Sequence, residues 1–408
     1  MALWVAMCGW AWAGPGRPRG YHLTPEETVK AKAFARARNT VYWGGEAVSL
    51  AALVGMIKLR TGPRLRHAAE RATHRRWLQA WIAVPPVLLA VAAVEIPFDI
   101  YAEIVSRRYG QSIETWGQWA GDWAKAEGLF LAIGTLAAWG LYALLRASPK
   151  RWWIWAWLIA IPLEVAATVV EPVIIEPMFY DYQPLGAEHP ELVGDIERIL
   201  QRAGIAIPPD RLYEMKASEK TNSLNAYVSG FGPSKRVVLY DTIIAKEKGP
   251  PLLTTVGHEL GHYALHHIRN GLLAGFGLTL FAFWAAAVAL RLAARGEAPG
   301  DWGTLPEMLL TLSVILFLLT PAMNAYSRRQ EHEADVYSIE VTHGVVPDPG
   351  GAAAQAFQIE GESAFADPSP SPFEVFWLYS HPPIADRLRF SLEYDPWRAG
   401  ARPRFVAP

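Results

Sequence analysis

The chain of 408 residues holds one cysteine, Cys8, so it can form no intramolecular disulfide and cannot build a zinc cluster on several thiolates. Charge is also scarce. Asp, Glu, Lys and Arg make up 19% of the residues, and 38 basic against 39 acidic side chains leave a formal net charge of −1. That balance gives no general attraction for a polyanion, so no nucleic-acid partner is expected. Lysine is sparse beside alanine and arginine, a usage that points to a GC-rich bacterial genome. What fills the space is apolar: 51% of residues are hydrophobic, 18 are Trp, and mean hydropathy is +0.10. This is too apolar for an ordinary soluble enzyme of this size and implies an integral membrane protein.

Apolar stretches of bilayer-spanning length lie at 41–57, 78–97, 129–146, 152–172, 271–291 and 306–323, which predicts a polytopic, mainly α-helical chain with six spans. Several carry carboxylates (Glu46, Glu95, Glu164, Glu171), which ionised would be costly against lipid. They are expected to line a watery cavity inside the bundle, or to sit at helix ends or pair with Arg. The Trp cluster at 152–157 reads as an interfacial belt. Residues 1–19 form a short apolar N-terminus, read either as a signal peptide or as the remainder of a leading span.

The first interhelical loop carries Lys58, Arg60, Arg64, Arg66, Arg71, Arg75 and Arg76, and the third-to-fourth loop carries Lys150 and Arg151. By the positive-inside rule both face the cytoplasm.

Membrane helices are thus expected over 20–179, a soluble insertion over 180–270, two further membrane helices over 271–323, and a C-terminal part over 324–408. Within the insertion, 191–203 has helical spacing, while 211–215 and 236–240 read as strands. Between them runs Ser223-Leu224-Asn225-Ala226-Tyr227-Val228-Ser229-Gly230-Phe231-Gly232, read as an edge strand able to hold an extended peptide by main-chain hydrogen bonds, or as an ordinary hairpin.

The strongest local signal is His258-Glu259-Leu260-Gly261-His262, an H-E-x-x-H motif. On a helix, positions i and i+4 share a face, so both imidazoles can bind one Zn²⁺ per chain while Glu259 polarises its water. Thr254 and Thr255 are candidate helix starters. A catalytic zinc needs a third protein ligand. Leu265 and Ile268 rule out the extended motif with a third His, which leaves a carboxylate from another helix. Glu331 in Ser327-Arg328-Arg329-Gln330-Glu331-His332-Glu333-Ala334-Asp335 is the best candidate. Glu331 and Asp335 are i and i+4, so one can bind metal while the other accepts a ring N–H from a ligating His. Ser380-His381-Pro382-Pro383, with Arg387 beyond it, forms a second patch. Pro382 is expected to begin a helix, with His381 and Arg387 aimed at the oxyanion of a peptidase intermediate. His266 and His267 read as supporting or surface residues.

In order and spacing these segments, together with Leu23-Thr24-Pro25-Glu26 and Ala35-Arg36-Ala37-Arg38, resemble the integral-membrane CAAX prenyl proteases of the a-factor-converting type, related to the HtpX quality-control proteases. The resemblance implies a helical membrane barrel around an intramembrane chamber, closed by a small α+β zinc-peptidase domain. It implies His258, His262 and Glu331 as zinc ligands, Glu259 as general base and Asp335 supporting a ligand. Asn225, with Ala226 and Tyr227 on the edge strand, would bind substrate backbone, and His381 and Arg387 would assist at the reacting carbonyl. The substrates expected are peptides or membrane proteins met by a monomer in the bacterial inner membrane. The loop charges imply a site on the side away from the cytoplasm, whereas the resemblance implies a cytosol-facing one. A competing reading is a non-catalytic membrane scaffold or chaperone that retains the zinc site. A transporter is a third, suggested by the intramembrane Glu residues.

Overall fold

The computed structural model describes residues 20–230, 235–293, 300–398 and 400–407. Cys8, the apolar segment 1–19, and Phe231 and Gly232 of the turn lie outside the described residues. Among the described residues six helices are long and apolar enough to cross a membrane: α1 (Pro25–Lys58), α3 (Arg76–Arg108), α4 (Trp116–Ala147), α5 (Trp152–Val170, continued by further turns to Met178), α9 (His267–Ala293) and α10 (Leu305–Thr342). A short amphipathic helix, α2 (Thr61–Ala72), separates the first two. The expected spans are all present, but the helices run well beyond them. Their ends are set by local chemistry: Thr24 and Glu27 make a capping box ahead of α1, and Thr115 and Gln118 make another ahead of α4.

Each long helix packs on two neighbours in the order α1, α3, α4, α5, α9, α10 and back to α1, which closes the six into a ring. Large apolar side chains such as Leu89, Leu163 and Leu318 stay exposed on the helices, as lipid-facing positions require. Of the carboxylates, Glu46, Glu95 and Glu164 are half-buried and Glu171 is exposed. Glu46, Glu95, Asp99 and Glu127 approach one another from α1, α3 and α4, with Ser49 donating to Glu95. Glu164 accepts from Thr279 Oγ1 at 2.7 Å between α5 and α9. No ion pair with Arg involves Glu46, Glu95 or Glu164 among the described residues, whose recorded partners are the hydroxyls of Ser49 and Thr279 and neighbouring carboxylates. The Trp belt needs a correction in part: Trp152 is buried against Phe283 in the helical core, while Trp155 is exposed.

One end of the ring is basic. There Gly62 of α2 lies so close to the Gly303 carbonyl that a Cβ would collide with it. Arg66 pairs with Asp301 at 2.9 Å, and Tyr142 stacks on Trp302 at 4.6 Å.

The other end carries the second lobe. It contains α6 (Pro190–Ala203), α7 (Asp241–Lys246), α8 (Pro250–Ala264), α11 (Pro349–Ser363), α12 (Pro372–Leu378) and α13 (Ile384–Glu393). A four-stranded sheet joins them: β1 (Tyr182–Pro184), β2 (Leu212–Met215), β3 (Ala226–Ser229) and β4 (Arg236–Tyr240), in spatial order β1-β2-β4-β3. β3 is antiparallel to β4 and forms the sheet edge, as the edge-strand reading expected. Alternate residues Val237 and Leu239 of β4 bury with Leu212, Ile196, Val256 and Leu260 in one core between sheet and helices.

Two carboxylates, one half-buried and one buried, fasten this lobe. Glu176, below α5, accepts from Tyr182 Oη, Tyr227 Oη and Arg236 Nη2 at 2.7–2.9 Å, tying β1, β3 and β4 to a membrane helix. Glu340 of α10 is fully buried and accepts from Tyr394 Oη and from the main-chain N–H groups of Arg404, Phe405 and Val406. It thereby pins the C-terminal segment to the helix that crosses the membrane. The boundary expected at 323/324 therefore falls inside one continuous helix. Replacing Glu340 by Ala strands several buried donors and should lower unfolding stability by about 3 kcal/mol. Thermal unfolding in detergent checks this, and an unchanged midpoint contradicts it.

Candidate metal centre and active site

The helix that carries the motif, α8, starts at Pro250-Pro251 after Gly249, whose φ of 66° ends the preceding segment. Proline suits these first positions because its missing N–H has no helical partner there. Thr254 and Thr255 are accordingly inside the helix and not its starters; Thr255 Oγ1 donates instead to Glu247 at 2.7 Å. α8 ends at Ala264, and His266, with φ of 58°, turns the chain into α9.

α8 crosses the C-terminal half of α10 at glycine. A Cβ on Gly261 would meet Ala334 Cα and Tyr337 Cβ at 3.2 Å, and one on Gly257 would meet Thr342, Val341 and Ser338 at 3.1–3.3 Å. This approach brings His258, His262 and Glu331 together, with donor atoms all within 4.8 Å. His258 Nε2 is 3.1 Å from His262 Nε2 and 3.2 Å from Glu331 Oε2, and His262 Nε2 is 3.4 Å from Glu331 Oε1. Donors about 2.0–2.1 Å from a tetrahedral zinc lie about 3.3 Å apart. Glu331 Oε2 is buried with only the His258 ring nitrogen, at 3.2 Å, as a close polar neighbour, so this oxygen keeps acceptor capacity for a cation. The three residues therefore fit a metal ion by spacing, donor type and unmet acceptor capacity.

Asp335, one turn after Glu331, places Oδ1 2.9 Å from His258 Nδ1, which leaves Nε2 as the donor toward the metal position. Burial opposes charge on His258, yet Asp335 and Glu331 outweigh it and raise the imidazole to about 10 in the absence of metal. Burial and the neighbouring His258 lower His262 to about 3. One imidazole thus holds a proton where the cage demands positive charge, which a divalent cation would replace.

Arg387 requires a correction. It is buried, donates Nη2 and Nε to Asp335 at 2.7 and 3.0 Å, and lies over the Phe357 ring at 4.2 Å. Its guanidinium is on the Nδ1 side of His258, at 3.4 Å, with Nη2 3.7 Å from Glu331 Oε2, so its direct partners are Asp335 and the site residues themselves. The reason is charge: Asp335 is buried, and an ordinary ring N–H alone does not neutralise it. The helix bearing Arg387 also starts at Ile384, two residues later than expected. His381 precedes it, partly exposed, with Nε2 3.4 Å from Glu331 Oε1 and Nδ1 2.9 Å from Ser380 Oγ. His381 is therefore beside the metal position with an open face.

Glu259 faces a cleft of about 260 Å³ that Asn225, Ala226, Glu360 and His381 also line. Burial, reinforced by Glu331 and Glu360, pushes the Glu259 carboxyl up to about 7. Asn225 is at the cleft, and its carbonyl accepts from Tyr240 N at 3.1 Å. Ala226 and Tyr227 begin the edge strand, but the Tyr227 side chain is committed to Glu176, so only its main chain remains for a substrate.

Two acidic groups, Glu247 and Glu360, escaped the sequence reading, and of the two extra histidines read as supporting or surface residues His267 takes the first place and His266 the second. His267 is buried with Nδ1 3.1 Å from His262 Nδ1, while its neighbour His266 is exposed at the corner. Glu247 is fully buried, and Glu360 of α11 faces the cleft beside Glu259; burial raises both carboxyls. Neither glutamate belongs to a spaced motif, so no local pattern announces it. A second group of donors among the described residues, Glu188, His189 and Glu214, lies elsewhere in the lobe, and Lys216 already meets Glu214 Oε1 at 2.7 Å.

A ring of membrane helices whose last member meets an H-E-x-x-H helix defines an integral-membrane metallopeptidase. The chain belongs to Peptidase family M48, whose family model matches residues 187–394; residues 18–181 match the CAAX prenyl protease N-terminal family, described as five membrane helices. An uncharacterized metalloprotease of Bacillus subtilis, YhfN, is 32% identical over 90% of this chain and 86% of its own length. CAAX prenyl protease 1 of Saccharomyces cerevisiae is 26% identical over 91% of this chain and 87% of its own. The crystal structure of S. mikatae Ste24p shares the fold, with a TM-score of 0.77 at 22% identity, covering 91% of this chain and 89% of that one. The resemblance to CAAX prenyl protease-type M48 peptidases is thus borne out, and the scaffold and transporter readings are not favoured.

Asp335→Asn should weaken metal binding by about 10- to 100-fold while the fold persists, because the carboxylate that orients His258 is lost. Competition for Zn²⁺ against a chromophoric chelator measures this; unchanged affinity would remove Asp335 from the account.

Proposed function

We propose that the chain is a monomeric zinc metalloendopeptidase of the bacterial inner membrane that hydrolyses peptide bonds in peptides or membrane proteins. The observation that carries this reading is the convergence of His258, His262 and Glu331, with donor spacings of 3.1–3.4 Å, directly beside Glu259 and the cleft. Two imidazoles and one carboxylate, with no thiolate, are a donor set suited to catalytic zinc.

When bound there, zinc supplies Lewis acidity toward a carbonyl and a water. Glu259 takes the proton of the attacking water and passes it to the leaving amine, a task for which a carboxyl near pH 7 is suited. His381, with its open face, donates toward the carbonyl oxygen as charge develops there. Arg387 and Asp335 hold His258 in one orientation. The free edge of β3 receives the substrate main chain as an added strand, with Asn225 at the reacting end. No covalent intermediate is formed, since water itself attacks.

In Glu259→Gln, metal content should stay unchanged while cleavage of a quenched fluorescent peptide falls by about 10²- to 10⁴-fold. A chelator should abolish wild-type cleavage and Zn²⁺ restore it. A peptide ending in a prenylated C-terminal motif belongs in the panel, because the yeast relative carries that name. Retained cleavage in Glu259→Gln would refute the assignment.

Orientation follows from the basic end of the ring, which we infer to face the cytoplasm, with the metal lobe on the opposite side. Reporter fusions after Ile57 and after Arg151 should both signal a cytoplasmic location; two external signals would reverse it.

A further inference from the structure

The loop joining α3 to α4 is a membrane-domain connection, yet it reaches the cleft. Gly110, with φ of 69°, turns the chain off α3, and Glu103 of that helix accepts from Ser112 Oγ at 2.7 Å and from Arg107. The loop then pairs with the segment that leads into β3. Asn222 N donates to Gln111 O at 2.9 Å, Ile113 N donates to Lys220 O at 2.9 Å, and Ser112 bridges Thr221 in antiparallel fashion. Its path is therefore fixed by main-chain bonds.

The Gln111 side chain then crosses from one wall of the cleft to the other. Its Nε2 donates to the Ser363 carbonyl at the end of α11 at 2.8 Å, and its Oε1 accepts from Ser223 Oγ at 3.3 Å. Gln111, Ser223 and Ser363 line the same cavity as Asn225 and Glu259. Lys246 Nζ reinforces the far wall through Ser363 Oγ at 3.0 Å.

Direction follows from the sheet. β3 runs from Ala226 to Ser229, and its free edge admits an added strand, antiparallel addition being the more stable. Such a peptide runs toward Asn225 and Ser223 with its C-terminal part leading, and that part meets the Gln111 side chain.

We propose that Gln111 is a specificity-determining residue that bars the far end of the cleft and limits how many residues can extend beyond the scissile bond on its C-terminal side. This rests on the peptidase reading given above. The loop thereby makes the membrane domain part of substrate selection.

The test is a ladder of peptides with one cleavable sequence and progressively longer C-terminal extensions, given to metal-loaded wild type, Gln111→Gly and Gln111→Met. Mass spectrometry identifies the fragments and kcat/KM is measured for each length. Wild type should lose about tenfold or more in kcat/KM between the shortest and longest extension. The ratio of longest to shortest should recover in Gln111→Gly, where the bar is gone, and partly in Gln111→Met, which keeps bulk but cannot bridge. Longer C-terminal fragments should appear in both variants. A wild type indifferent to extension, or a length dependence unchanged in both variants, overturns the proposal while the peptidase reading stands. Absence of any cleavage by wild type overturns both.

Discussion

The close crossing of α8 and α10 is the contact on which the site depends. Gly257 and Gly261 lie one turn apart on the face of α8 turned to α10, and the atoms opposite them are at the limit of packing distance. Any side chain at these two positions would push the helices apart by a few tenths of an ångström. The imidazoles and the Glu331 carboxylate come from those two helices, so such a shift would open the 3.1–3.4 Å spacings that suit one metal ion. The glycines thus set coordination geometry through backbone approach, and the x-Gly-His part of the motif is as much a packing element as a chemical one.

Around that crossing, several buried or half-buried carboxylates are answered by donors from other elements. Asp335 is nearly inaccessible but receives two hydrogen bonds from Arg387 and faces His258. Glu340, further along the same helix, is answered by four donors of the C-terminal segment. Glu176 is answered by two tyrosines and an arginine. At Glu331 the carboxylate instead faces the two histidines, Oε2 toward His258 and Oε1 toward His262. Because α10 carries Glu331, Asp335 and Glu340 and also crosses the membrane, the ring and the metal lobe share one rigid element. The Glu176 network and the Gln111 loop add two further ties between them.

Much of this was legible in the sequence. The six apolar stretches all became helices, and β4 covers 236–240 as expected, because burial imposes a strong periodicity on both. His258, His262, Glu331 and Asp335 could be paired from i, i+4 spacing alone, since a helix face is a local property. What escaped depends on tertiary geometry. Arg387 looked catalytic beside His381, but it answers Asp335 on another helix, a demand no local pattern records. Glu360 stands in a helix without a motif, and Gln111 reaches Ser363 from 252 residues away in the chain. Thr254 and Thr255 resembled helix starters because their side chains can cap, yet the prolines ahead of them begin the helix.

The central claim is that two imidazoles and the Glu331 carboxylate form one metal site. Zinc-edge X-ray absorption on the purified protein, with elemental analysis, tests it most directly. The account predicts about one zinc per chain, bound only by nitrogen and oxygen donors at about 2.0–2.2 Å with two imidazoles in the outer-shell signal. It also predicts that His262→Ala loses the metal or one imidazole. A protein that takes up no zinc, or one whose zinc environment is unchanged in His262→Ala, would contradict it.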